Sequence, residues 1–153
     1  MISRNVTKQH VNHPHGAIKA SGAPDPLRAA SILVGIYVAI VAGTVAALTI
    51  LSATAPHLAT RDAWVHAVVV AVFAVVLPLR LRAARAGRPG ALRAVGIISA
   101  VLFLVNVTEA TIPGLFPVWM RAEMIGIAAV IAAVILLVIR EGTAIAERRR
   151  GTA

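Results

Sequence analysis

Residues 29–51 read AASILVGIYVAIVAGTVAALTIL, a run in which nothing is more polar than Ser, Thr and Tyr37. A hydrocarbon core about 30 Å thick takes about 20 helical residues to cross, at about 1.5 Å each. This stretch is long enough, and three more follow it. Residues 63–79 have His66 as their only ionisable group, residues 94–112 contain Asn106 and Glu109, and residues 122–139 carry Glu123 near their start. Backbone groups in lipid must be satisfied within their own segment, which uninterrupted runs achieve as helices. The alternation that a membrane barrel requires is absent. The sequence therefore predicts an all-α, polytopic membrane protein: four transmembrane helices forming a bundle of two helical hairpins over residues 28–140.

Composition agrees. Of 153 residues, 59% are hydrophobic and 14% charged, where a soluble domain carries about 25% charged residues. Mean hydropathy is +0.86. An ordinary water-soluble enzyme and a disordered chain are both excluded. There is no cysteine, which removes disulfides, thiolate chemistry and Cys-ligated metals.

The net charge of +9 is not spread evenly. Arg4, Lys8, Lys19 and Arg28 precede the first span; Arg80, Arg82, Arg85, Arg88 and Arg93 fill the central loop; Arg140, Arg148, Arg149 and Arg150 follow the last span. Only Arg61 and Arg121 lie in the other two connections. Positive charge is retained on the cytoplasmic side, so the expectation is a multi-pass protein of a bacterial-type cell membrane with both termini cytoplasmic. The first apolar run is far longer than the about 7–15 residues of a signal-peptide core, and it reads as an uncleaved anchor. Basic segments this close to the bilayer fit anionic headgroups, at about 1 kcal/mol per residue. With 4% aromatics there is no stacking platform for nucleic acid.

Residues 1–27 read as a flexible basic tail punctuated by Pro14, Gly16, Gly22, Pro24 and Pro26, and residues 141–153 as a second basic tail. His10, His13 and His15 in the first tail read as a polar run rather than a metal site.

The two halves of the chain share a faint likeness. Leu27-Arg28-Ala29 and Leu92-Arg93-Ala94 open the odd spans, while Trp64-Val65-His66-Ala67 and Trp119-Met120-Arg121-Ala122 begin the even ones. This is either a parallel tandem repeat or coincidence within a narrow composition. Either way, each connection on that side has a proline-bearing turn and then an interfacial Trp.

Helices in lipid associate through close approach and polar contacts. Gly35, Ala39, Gly43 and Ala47 recur at steps of four and form a helix-packing seam, directed at the bundle or at a second subunit. Ala122, Gly126, Ala129 and Ala133 make a comparable strip on the last span. Pro78 is placed in the last turn of the second span, where a kink costs little.

Ionisable residues outside the basic segments gather near one rim. Glu109 lies about 24 Å along the third span from Arg93, and His66, Arg121 and Glu123 sit at the start of their spans. Gly96, Ser99, Phe103, Asn106 and Glu109 or Ala110 form a stripe at steps of three or four, expected to face protein because polar groups against hydrocarbon are costly. His66, Asn106, Glu109, Arg121 and Glu123 are thus a candidate external polar cluster. It is either a proton-active or ligand-binding pocket, or a structural set in which Arg121 satisfies Glu109.

Established chemistries fit poorly. A transmembrane haem needs paired axial ligands, and His66 alone lies within a span. Zinc needs about three converging ligands; His57, Asp62, His66, Glu109 and Glu123 could supply them, but no pair like that of His-Glu-x-x-His is present. No catalytic triad or phosphate loop can be assembled. No cofactor is expected.

The stretches Arg61-Asp62-Ala63-Trp64-Val65-His66-Ala67 and Phe116-Pro117-Val118-Trp119-Met120-Arg121-Ala122-Glu123, with the arginine loop, resemble those of small four-span integral membrane proteins of high-GC bacteria. The resemblance covers residues 27–140 and implies no activity. In architecture the chain is more loosely similar to DoxX-like proteins. Three functions follow in order: a non-enzymatic membrane partner or homo-oligomer, a minimal transporter or channel with an external pocket at Glu109 and His66, and a membrane redox accessory or enzyme.

Overall fold

The computed structural model describes residues 25–88 and 90–151. The expected tail at 1–27, with His10, His13 and His15, falls almost wholly outside them. Four helices follow one another: α1 (Pro26–Thr54), α2 (Arg61–Arg85), α3 (Ala91–Thr111) and α4 (Val118–Gly151), with a short 3-10 turn at Pro56–Leu58. All four are long and apolar enough to cross a membrane. They form an all-α bundle with no strand among the described residues. Each helix packs against two others, α1 and α3 both lying between α2 and α4.

Local chemistry sets the helix ends. The Asp25 side chain accepts from Leu27 N at 3.0 Å ahead of Pro26, and Thr60 accepts from Ala63 N at 3.3 Å at the start of α2. Both cover amides that have no partner inside the helix. Pro56 and Pro113 stand just past the ends of α1 and α3, where the residue before a proline is pushed out of helical geometry. At the end of α2 the Arg88 amide reaches Ala83 O and the Gly87 amide reaches Ala84 O. Gly87, at φ +71°, supplies the left-handed residue this stop requires.

All four helices overrun their expected bounds at one end or both, α3 by beginning at Ala91. α1 begins at Pro26, and α2 continues through Pro78 to Arg85, so the proline lies inside the helix rather than in its last turn. Leu79, Leu81, Ala83 and Ala84 are strong helix formers, and Arg82 and Arg85 suit the negative end of the helix dipole. α4 runs on to Gly151, so the stretch expected as a tail is helical from 141 to 151. Glu141, Ala144, Ala146, Glu147 and the arginines favour that continuation.

Two apolar clusters fill the bundle. One, towards the end carrying the arginine loop, gathers Tyr37, Val41, Val70, Leu77, Leu102, Ile127 and Ile131 among others. The second, at the end carrying the two hairpin connections, joins Leu48, Ala63, Ala67, Ala110, Phe116, Met120 and Met124, with Trp64 and Trp119 packed against it. Tyr37 is fully buried, and its hydroxyl donates to Val70 O on α2 at 2.8 Å.

Candidate functional site

Between the two apolar clusters lies a polar level to which every helix contributes. On α1 Thr44 stands between Val41 and Leu48; on α2 His66 stands between Ala63 and Val70; on α3 Asn106 stands between Leu102 and Ala110. On α4 Glu123 precedes Met124, the last residue of that helix in the hairpin-end cluster. Thr44, His66 and Asn106 are all buried.

The level is largely paired within itself. His66 Nδ1 pairs with Glu109 Oε2, the histidine side chain being 3% exposed and the glutamate 29%. The Phe116 ring meets His66 edge-on, with centroids 5.7 Å apart and planes at 64°. Thr44 bonds the Glu123 carboxylate while also lying 3.0 Å from Ile40 O, so its single proton has two acceptors within reach. Glu123 is within electrostatic range of His66. Asn106 Nδ2 donates to Leu102 O at 2.8 Å, while Asn106 Oδ1, Ser99 Oγ and Trp119 Nε1 are buried without a partner.

The expected pairing of Glu109 with Arg121 does not form. Arg121 Nε instead donates to Ala110 O at 3.0 Å and covers a carbonyl of the last turn of α3. Those carbonyls have no helical donor, so a cation there answers both hydrogen-bonding need and dipole. Both α2 and α4 pack against α3, and there Glu109 meets the buried His66 while Arg121 meets the Ala110 carbonyl. The five expected residues thus divide: His66 and Glu109 touch, Glu123 is held by Thr44, and Arg121 and Asn106 bind carbonyls of α3. Among the described residues no group of three His, Asp or Glu is placed to hold a metal ion.

The α3 stripe is corrected at two positions: Gly96 is half-buried, and Val95 beside it takes the inward place. Phe103 is 36% exposed and Leu102 is buried in its stead, so the inward line runs Val95, Ser99, Leu102, Asn106, Ala110. Thr44 lies outside the expected cluster. α1 continues to Thr54, about 15 Å past Thr44, whereas Glu123 is only about 7.5 Å into α4. Thr44 nevertheless bonds Glu123 and so belongs to the polar level. The spacing of Val34, Tyr37, Val41, Thr44 and Leu48, alternating three and four, is the signal that marks it as inward.

The small-residue seam faces away from this layer. Gly35, Ala39 and Gly43 are exposed and Ala47 is half-buried. A Cβ built on Gly35 or Gly43 meets nothing within 4 Å. On α4 Ala122, Gly126 and Ala129 are exposed too, again with open space above Gly126. Neither strip packs the protein's own bundle. No family model, curated protein or solved structure matches the chain, so its function is argued from this geometry.

Proposed function

We propose that the protein is a non-catalytic subunit of a bacterial-type cell membrane, with both termini on the cytoplasmic side, that assembles with copies of itself through α1. One observation carries the reading: Gly35, Ala39 and Gly43 point out of their own bundle, with room above the glycines. Small residues four apart let helix backbones approach closely, the main source of helix association in lipid. Large side chains fill the inward face of α1 instead. The polar layer supports the same reading, because its carboxylates are already engaged by Thr44 and His66. A transporter or channel built on Glu109 and His66 would need polar groups continuing through the other half, where the arginine-end core is apolar.

The chain contains no cysteine, so Gly43→Cys gives crosslinking without background. In native membranes it should form a disulfide-linked dimer under mild oxidation, while Leu136→Cys, on an exposed face of α4, should not. Equal crosslinking at both positions, or none at Gly43→Cys, would overturn the assembly. A crosslink to a different protein would replace self-association with a heteromeric contact.

A further inference from the structure

We infer that the cleft between α1 and α2 at the arginine end binds one anionic phospholipid. The cleft measures about 460 Å³ and is lined by Ser31, Val34, Gly35, Val38, Ala74, Pro78, Leu81, Arg82 and Arg85. That volume is ample for part of a small molecule, whose sites run about 300–1,000 Å³. Its two ends differ in chemistry. Val34, Val38, Ala74, Pro78 and Leu81 make an apolar floor, and Arg82, Arg85 and Ser31 make a cationic, hydroxyl-bearing mouth.

Three details of the chain open this space. Gly35 has no side chain, and a Cβ there would meet nothing within 4 Å. Pro78 has no N–H to give the Ala74 carbonyl one turn earlier, and both residues line the cleft. Ser31 donates to Leu27 O at 2.8 Å and accepts from Arg85 Nη1 at 3.3 Å, which holds that guanidinium over the mouth. Among the described residues no carboxylate forms a salt bridge with Arg82 or Arg85.

Arg82 and Arg85 occupy the last turn of α2, at the height where a bilayer places its headgroups. Arginine binds phosphate oxygens through a planar fork of donors. A phosphodiester across Arg82 and Arg85, with its chain descending over Gly35 and Val38 beside Pro78, satisfies both ends of the cleft. A free anion would use only the mouth.

The test is native mass spectrometry of the full chain released from nanodiscs of phosphatidylcholine and phosphatidylglycerol in equal amounts. The wild type should retain one phosphatidylglycerol per chain in preference to phosphatidylcholine. Arg82→Gln combined with Arg85→Gln should lower that preference about thirtyfold, the effect of two basic contacts at a membrane surface. Gly35→Leu, which also lies in the α1 seam, should displace the lipid with both arginines intact, and so should Ala74→Leu on the α2 wall of the cleft, outside the seam. Arg80→Gln, on the same helix but outside the cleft, should change nothing. Loss of equal size in Arg80→Gln would mean diffuse attraction and overturn the site, as would retention in either leucine variant or displacement by millimolar glycerol phosphate. Crosslinking through Gly43→Cys, followed in the Arg82 and Arg85 variant, separates failure of this site from failure of the assembly.

Discussion

His66 on α2 and Glu109 on α3 pair across the bundle, with the histidine buried and the glutamate open at one edge. A pair held this way should be energetically coupled. In a double-mutant cycle of His66→Ala and Glu109→Gln, read by thermal unfolding in detergent, the coupling should be about 1–3 kcal/mol. Additivity within about 0.5 kcal/mol would show that the two side chains do not depend on each other.

Arg121 should behave differently. It serves the Ala110 carbonyl rather than Glu109, so Arg121→Gln should cost about 1 kcal/mol and be additive with Glu109→Gln. Strong coupling between those two variants would restore the ion pair that the sequence led one to expect.

Tyr37→Phe removes the hydroxyl from Val70 O while leaving the ring in place. The Val70 carbonyl keeps its helical donor, so the expected loss is about 1 kcal/mol. Tyr37→Ala also leaves a cavity in a fully buried site and should cost about 3–5 kcal/mol. Equal losses for the two variants would mean that the ring contributes nothing by packing.

The glycines should separate by position. A Cβ on Gly96 would already sit 3.4 Å from Val138 Cγ1, whereas one on Gly43 meets nothing. Gly96→Leu should therefore destabilise the monomer by about 1–3 kcal/mol, and Gly43→Leu should leave its melting temperature unchanged while abolishing the dimer. A matching drop in both melting temperatures would place the α1 seam inside the bundle.

Ser99 is fully buried with no partner for its hydroxyl. Ser99→Ala removes an unsatisfied polar atom and should be neutral or stabilising. A loss above about 1 kcal/mol by thermal unfolding would reveal a bond the hydroxyl makes in the membrane.

Much of this was legible in the chain. Span number and order follow from run length and hydropathy, because lipid leaves a segment like 29–51 no alternative to helix. His66, Glu109 and Glu123 stood out because charge in a span is costly. What the chain hid was azimuth and height. Spacing puts Gly35, Ala39 and Gly43 on one row but cannot say which way the row points. That depends on the larger line from Val34 to Leu48 winning the inward side. Thr44 went unmarked because an uncharged threonine within a span carries no cost that would single it out. Glu109 meets His66 rather than Arg121 although α2 and α4 both pack on α3, a tertiary fact with no local sequence mark.

The polar level between the two apolar clusters also acts as a vernier on axial register. Apolar helices in lipid can slide past one another at little cost, since one Leu or Val replaces another along the groove. A slip of one helical turn, about 5.4 Å, would carry His66 away from Glu109 and Thr44 away from Glu123, stranding carboxylates beside hydrocarbon. Because the partners come from all four helices, each helix has its height set against another. Four otherwise greasy rods thereby acquire a single vertical alignment.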